Sequence, residues 1–190
     1  MGRELMFSME VKSKNQLRWA KEMLIATSVG AGCDSLEYIY GLDVDEDEII
    51  RYHNETLTEE EQEKFAAGFA KAEAQQNIEW DTQGKKITAF PEINDECFAY
   101  MGGYYGLFKE IVRANPKREF IFNSYYTDDW AGVSSDTYCK VEYGKFSYET
   151  SEVHPWNEDP VQIHAVKGKL VNGKYEFEVV SEFDDLDDFL

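Results

Sequence analysis

Apolar and polar residues alternate or recur at helical spacing along most of the chain, and this pattern predicts its first elements. Residues 5 to 11 predict a strand whose buried face carries alternate apolar side chains, namely Leu5, Phe7, Met9 and Val11. Ser13 and Gln16 then stand at capping-box spacing, which predicts a helix that ends at the glycines 30 and 32. The chain therefore begins with a strand followed by an amphipathic helix.

Residues 34 to 78 have a different character, because carboxylates dominate them. The run from Asp43 to Glu48 is acid-dense, and Thr58 with Glu61 forms a second capping box. The helix that this box opens has a thin apolar stripe through Phe65 and Phe69 and a heavily charged opposite face. We interpret the segment 34–78 as an acidic helical insertion at the surface.

A second strand and a third helix follow the insertion. Residues 85 to 90 predict a strand after the Gln83-Gly84 turn. Asn94 or Asp95 caps a helix whose apolar residues recur in steps of three and four, at Phe98, Met101, Tyr105, Phe108 and Val112. Pro116 marks the end of this helix.

The last third of the chain predicts antiparallel sheet. Residues 119 to 127 and 137 to 150 are rich in aromatic and β-branched residues, and each predicts one strand, the second of them irregular around Gly144. Asn172-Gly173 is a strong hairpin signal between residues 161–170 and 174–183.

Together these elements predict one α+β domain over residues 1–183, with the acidic helical insertion at 34–78 and a mainly antiparallel sheet. Their order is compatible with a ferredoxin-like, split βαβ arrangement that ends in an added C-terminal β-hairpin. A generic α+β sandwich is the competing fold. Residues 184–190 form an acidic-hydrophobic tail.

The charge of the chain restricts its partners. Its 190 residues include 38 acidic and 19 basic ones, for a formal charge of −19, while 43% are hydrophobic, enough for a folded core. A protein so acidic repels phosphate backbones and anionic membranes, so we expect neither direct nucleic-acid binding nor membrane binding. The charge favours a basic protein surface, and the competing interpretation is that it only serves solubility.

The cysteines and the apolar segments indicate where the protein resides. Cys33, Cys97 and Cys139 are odd in number and widely spaced, which is typical of reduced thiols. No segment resembles a signal peptide or approaches the ~20 apolar residues of a membrane span. We expect a cytoplasmic protein, in the host cytoplasm if a phage encodes it.

No metal site is predicted, although two sets of residues invite one. Asp43, Asp45 and Asp47 match the first ligand positions of a calcium loop, but Glu48 and Asn54 replace its glycine and its bidentate glutamate. The histidines 53, 154 and 164 show no zinc-ligand spacing.

No catalytic residue or cofactor site is predicted either. Cys139 and His154 lack the surroundings of a nucleophile pair, and a buried structural thiol is the simpler interpretation of Cys139. The glycine-rich run from Met101 to Gly106 lacks both the P-loop and the dinucleotide spacing. We therefore do not expect an enzyme.

Acidic and aromatic clusters are the predicted partner-binding residues. They comprise the insertion carboxylates Asp43, Asp45, Glu46, Asp47, Glu48, Glu59, Glu60 and Glu61, the strand-end residues Tyr126, Asp128, Asp129 and Trp130, and the tail residues Asp185, Asp188 and Phe189. Tyr and Trp are typical of interfaces because they bury large areas at little entropic cost. Successive strand residues face opposite sides of a sheet, so either Tyr125 or Tyr126 must point inward.

Three functions fit these features. The first is an acidic inhibitor or adaptor that binds a basic groove, such as a phage-type nucleic-acid mimic of the anti-CRISPR or anti-restriction kind acting on a nuclease or another nucleic-acid-binding protein. The second is an enzyme or small-ligand-binding domain with an aromatic-lined pocket between residues 100–105 and 120–130. The third is an immunity protein for a basic toxin.

Overall fold

The computed structural model describes residues 3–30, 56–75, 78–90, 103–156 and 159–182. Within them, the helices are α1 (Leu17–Gly30), α2 (Glu59–Gln75) and α3 (Gly103–Ala114), and a short 3₁₀ turn (Lys14–Gln16) precedes α1. The strands are β1 (Arg3–Val11), β2 (Glu79–Gln83), β3 (Lys86–Phe90), β4 (Phe120–Asp128), β5 (Val133–Glu142), β6 (Lys145–Val153), β7 (Val161–Val171) and β8 (Lys174–Glu182).

These strands form one antiparallel sheet in the order β2-β3-β1-β4-β5-β6-β7-β8. From β4 onward each strand pairs with the next along the chain, so this part is a meander of hairpins. Strand β1 lies between β3 and β4 and pairs with both. The described residues thus form an α+β structure with a mostly antiparallel sheet, as the sequence predicts. More of them lie in strands than in helices.

The hydrophobic core lies between one face of the sheet and the helices α1 and α3. All four apolar residues predicted for the first strand are buried. From α3, Phe108 contacts Phe122 on β4 with ring centroids 4.8 Å apart, and from α1, Trp19 contacts Phe120 at 5.5 Å. We call this side of the sheet the packed face.

Two predicted turns have the geometry that their sequences demand. Asn172 and Gly173 both adopt positive φ, 52° and 79°, as a two-residue hairpin loop between β7 and β8 requires. Gly84 has φ 64° in the turn between β2 and β3. Both glycines therefore occupy backbone conformations that other residues seldom adopt.

The structure corrects three predictions about elements. The segment 137–150 is not one strand but parts of β5 and β6, because Tyr143 and Gly144 form a tight turn with Gly144 at φ 86°. Strand β2 follows the helix of the insertion, where no strand is predicted. Ser13 forms no side-chain cap. The segments 31–55, 91–102 and 183–190 lie outside the described residues, as do the Asp43–Glu48 run and the tail predicted there.

Candidate functional site

Seven of the fifteen predicted partner-binding residues are described. They fall into two groups, one at the start of α2 and one at the turn between β4 and β5, namely Glu59, Glu60, Glu61, Tyr126, Asp128, Asp129 and Trp130. The other eight lie outside the described residues, namely Asp43, Asp45, Glu46, Asp47, Glu48, Asp185, Asp188 and Phe189.

The start of α2 is a complete capping box. The Thr58 backbone N–H donates to Glu61 Oε2 at 2.8 Å, and the Glu61 N–H donates back to Thr58 Oγ1 at 3.3 Å. Because Glu61 serves the cap, Glu59 and Glu60 are the exposed carboxylates of this first turn. The positive end of the helix dipole stabilises them there.

The turn between β4 and β5 is organised by the buried side chain of Asp128. Its Oδ1 accepts hydrogen bonds from the N–H groups of Trp130 at 2.9 Å and Ala131 at 3.3 Å, and its Oδ2 accepts one from the Tyr126 hydroxyl at 3.1 Å. Tyr126 points into the packed face, whereas Tyr125 is exposed on the opposite face. Of the four predicted residues here, Asp129 and Trp130 are therefore the exposed ones.

A second tryptophan lies in the neighbouring loop. Trp156 follows β6, is 59% exposed and stacks on His154 with ring centroids 4.9 Å apart, and His154 Nε2 lies 3.1 Å from Glu152 Oε2. Trp130 is 78% exposed.

The two tryptophan-bearing loops contact each other. A Cβ built on Gly132, in the β4–β5 turn, would lie only 3.1 Å from Pro155 Cβ. Two exposed tryptophans thus stand on adjoining loops at one end of the sheet. We call Asp129, Trp130, His154, Pro155 and Trp156 the tryptophan corner.

The negative charge of the protein is unevenly distributed. The described ranges hold 18 of the 19 basic residues but only 22 of the 38 acidic ones, which leaves a balance of −4 out of −19. The remaining excess lies largely in residues 31–55, 91–102 and 183–190. The acidic character therefore belongs to those segments more than to the sheet and helices described.

A row of small polar side chains crosses the packed face beyond the aromatic core. Ser124 on β4 pairs directly with Thr137 on β5, which pairs with Thr150 on β6. Ser135 lies two residues before Thr137 on the same face of β5. All four are at most 4% exposed. We call Ser124, Ser135, Thr137 and Thr150 the hydroxyl strip.

Hydrogen bonds join part of the hydroxyl strip to a tyrosine. The Thr150 hydroxyl donates to Tyr148 Oη at 3.2 Å, and Thr137 Oγ1 lies 3.2 Å from Thr150 Oγ1. Because Thr150 has one proton and directs it at Tyr148, Thr137 is the donor to Thr150. Burial raises the pKa of Tyr148 to about 12, against the opposing effect of the Thr150 hydrogen bond, so this phenol stays neutral at ordinary pH.

Three polar atoms around the strip lack a hydrogen-bond partner. Ser124 Oγ and Ser135 Oγ are buried without one, and so is His164 Nε2 on β7, which pairs directly with Thr150. Buried polar atoms normally have partners in native proteins. These three atoms therefore mark a place where the packed face has unmet hydrogen-bonding capacity.

The described residues contain neither a reactive thiol nor a metal site. Cys139 is fully buried, and burial raises the pKa of its thiol, so it is not a reactive nucleophile. Within the described ranges, no three side chains of the metal-ligating types come together as a metal site. None of the helices in the described part of the chain is long and apolar enough to cross a membrane.

Comparison with known proteins finds no matching family model, no similar curated protein and no similar solved structure.

The sequence pattern predicts neither the exposed Trp156 nor the hydroxyl strip as part of a site. Trp156 stands two residues after His154, and its exposure depends on the loop between β6 and β7. Serines and threonines on a strand usually indicate a solvent-facing side. Only the register, which aligns Ser124, Thr137 and Thr150, reveals that they share the packed face.

Proposed function

We propose that the protein binds another protein, and that the tryptophan corner is the centre of its interface. The exposure of both Trp130 and Trp156 on adjoining loops carries this proposal. Tryptophan is the residue type most enriched among side chains that dominate binding energy, and two such side chains in one place are uncommon on a surface that meets only water.

The corner is also held in a fixed shape before binding. Three hydrogen bonds to Asp128 fix the turn that presents Trp130, and the stack on His154 orients Trp156. A pre-organised surface loses less conformational entropy on association, which favours affinity.

The partner we propose is a basic protein surface. The net charge of −19 and the carboxylates Asp129, Glu59 and Glu60 support electrostatic attraction and rapid association with such a surface. A groove that binds nucleic acid is a surface of this kind. The finer proposal is an inhibitor that occupies such a groove in a nuclease, as a phage-type nucleic-acid mimic does, and a basic toxin is the alternative target.

We also infer a finer architecture for the first four strands. Strands β1 and β2 are parallel to each other with β3 between them, and β4 flanks β1 on the other side. This order, β4-β1-β3-β2 with intervening helices, supports a split βαβ unit of ferredoxin-like type that the meander β5–β8 extends. Such a fold hosts many functions, so it does not by itself select one.

The experiment that tests the function is affinity capture with a Trp130→Ala/Trp156→Ala double variant. The tagged wild-type protein and the variant are each incubated with host lysate, washed at low and at high salt, and compared by quantitative mass spectrometry. We expect the wild type to retain a basic protein whose recovery falls as salt rises, and the double variant to lose it at both salt concentrations.

A matched control replaces aromatic side chains that are exposed elsewhere. Tyr138→Ala/Tyr143→Ala removes two such residues from β5 and from the β5–β6 turn, and it should retain the partner. If the tryptophan variant captures the same protein as the wild type, the corner is not the interface. If the wild type retains no basic protein, the proposed function is wrong.

A further inference from the structure

We propose that the outer edge of β8 binds an extended, basic segment of another protein, which joins the sheet as an additional antiparallel strand. This inference goes beyond the proposed function, because it concerns the edge of the sheet and not the tryptophan corner. Strand β8 is last in the strand order, and among the described residues it pairs only with β7. Its outer edge therefore presents backbone N–H and C=O groups with which a further strand can pair.

The two-residue loop between β7 and β8 determines which residues present these groups. In such a hairpin, pairs that exchange hydrogen bonds alternate with pairs that do not, starting from the pair beside the loop. Leu170 confirms the alternation, because its N–H donates to the carbonyl of Gly144 on the β6 side. Its ladder partner and every second residue after it therefore turn their N–H and C=O groups outward. We call these residues, Tyr175, Phe177 and Val179, the edge residues.

The far half of this edge is open to solvent. Val179 and Val180 are 51% and 50% exposed, more than any other large apolar side chain in the described strands. Native proteins usually protect an edge strand with a cover or with charge at such positions. Two adjacent exposed valines beside unpaired backbone groups are therefore typical of an edge that a partner covers.

Two glutamates determine the charge of the strand that fits here. Glu176 and Glu178 alternate with the edge residues, are exposed on the side opposite the packed face, and lie opposite Lys169 and Lys167 on β7. Opposite charges at directly paired positions stabilise a sheet, whereas like charges destabilise it. A strand with lysine or arginine at two alternate positions would place one basic side chain opposite each glutamate.

The residues between these basic positions are expected to be apolar. They would lie on the packed face, beside Phe177 and the exposed Val179. Arg113 from α3 already lies over the Phe177 ring, with its guanidinium carbon 5.1 Å from the ring centroid, so a basic side chain on that side would meet a like charge. The occupant is thus an extended segment in which basic and apolar residues alternate.

A second copy of this chain does not fit the same edge. We consider antiparallel pairing of two β8 strands that joins at least two edge residues of each copy. In every such register a glutamate lies opposite a glutamate, either Glu176 opposite Glu176, Glu176 opposite Glu178, or Glu178 opposite Glu178. Like charges at directly paired positions disfavour this pairing, while they favour a basic strand.

The test uses a seven-residue peptide in which lysine and valine alternate, with acetylated and amidated ends. It is titrated to about 1 mM into the isotope-labelled full-length protein, and backbone amides are followed by NMR. We expect saturable shifts of the edge-residue amides and slower hydrogen exchange at them. The same peptide with N-methylated valines keeps its charge but loses the N–H groups that pair with the edge, so it should not bind.

Protein variants test the two glutamates. Glu176→Lys/Glu178→Lys places lysine opposite the basic residues of the peptide and should weaken its binding about tenfold or more. Glu79→Lys/Asp81→Lys is the matched control, because it makes the same charge change on β2, at the other edge of the sheet. That edge lies several strand spacings from β8, more than a Debye length, so the affinity should stay nearly unchanged.

Several outcomes would overturn the inference. Equal affinity for the N-methylated peptide would mean that only charge holds the peptide, and this comparison leaves the protein unaltered. Equal weakening in both double variants would mean the same. Slow exchange of the edge-residue amides in the free protein would show that the chain itself, or a second copy if sedimentation reveals a dimer, already occupies the edge. A lysine–valine peptide that does not bind at all would also contradict it.

These results do not depend on the tryptophan corner. The peptide experiment uses purified protein and no lysate, and none of its variants alters Trp130 or Trp156. Loss or retention of partner capture by the tryptophan double variant leaves the peptide result unchanged, so the two proposals fail independently.

Discussion

Gly168 lies directly opposite Phe177 in the β7–β8 ladder, and the Phe177 ring fills the space that a side chain at position 168 would need. A Cβ built on Gly168 would lie 2.9 Å from Cδ1 of Phe177 and 3.2 Å from Cβ of Phe146. The rings of Phe146 and Phe177 meet edge to face at 5.3 Å across this glycine. The packing of Phe146 on β6 against Phe177 on β8 therefore depends on the absence of a side chain at Gly168 on β7.

Gly168→Ala should destabilise the protein by about 1 to 3 kcal/mol, because the added methyl group forces Phe177 out of its position. Equilibrium unfolding in urea measures the change. Gly106→Ala is the matched control, since Gly106 lies in α3 with nothing within 4 Å of its added Cβ, and it should be neutral or stabilising by up to about 1 kcal/mol. An equal loss of stability in both variants would contradict this account of Gly168.

Thr58→Ala should lower the free energy of unfolding by about 1 kcal/mol, because it removes the hydroxyl that accepts the Glu61 N–H at the start of α2. Thermal unfolding followed by circular dichroism measures the effect. Thr58→Ser keeps the hydroxyl and should retain most of the stability. A serine variant as unstable as the alanine variant would show that the methyl group, and not the cap, matters.

Much of the fold was predictable because short-range patterns determine it. The alternation from Leu5 to Val11 and the Asn172-Gly173 pair each specify a local structure, and both predictions are confirmed. Strand β2 was not predictable, since Glu79–Gln83 contains one apolar residue and forms through its pairing with β3. The β5–β6 turn was missed because Tyr143 resembles a continuing aromatic strand.

The site was less predictable than the fold. An exposed and a buried tyrosine look alike in sequence, and the alternation of strand residues decides that Tyr125 is outside and Tyr126 inside. The hydroxyl strip depends on the pairing of three strands, which local composition does not encode. The contact between the loops of Trp130 and Trp156 likewise exists only once β4, β5 and β6 are aligned.

The free energy of unfolding should fall as pH rises from 10 to about 12, in part because of Tyr148. In the folded protein this phenol keeps its proton up to about pH 12, whereas in the unfolded chain it ionises near its ordinary pKa of 10.0. Tyr148 therefore contributes fully below pH 10 and loses up to about 3 kcal/mol as pH rises through that window.

The comparison with Tyr148→Phe isolates this contribution. Urea unfolding at several pH values from 9 to 12 should show a shallower decline for the variant than for the wild type. The tyrosinate absorbance of the native wild type should include one group that titrates near pH 12, and the variant should lack this group. Identical slopes for the two proteins would mean that Tyr148 ionises as readily when folded.

Cys139 should react with a thiol reagent only when the protein unfolds, because its side chain is fully buried and burial raises its pKa. A Cys33→Ser/Cys97→Ser variant leaves Cys139 as its one cysteine, and Ellman's reagent then reports on it alone. The reaction rate should rise steeply with urea, in step with unfolding. Rapid modification in native buffer would show that β5 opens locally.

The position of β1 in the middle of the sheet has a consequence for synthesis on the ribosome. Its partner β4 follows more than one hundred residues later, whereas every pairing from β4 to β8 joins neighbours in the chain. At roughly 5 to 20 residues per second, the ribosome needs about 5 to 20 s to deliver β4 after β1. One backbone edge of β1 is thus unpaired on the nascent chain for that time, and it stays open to non-native strand pairing until β4 is made.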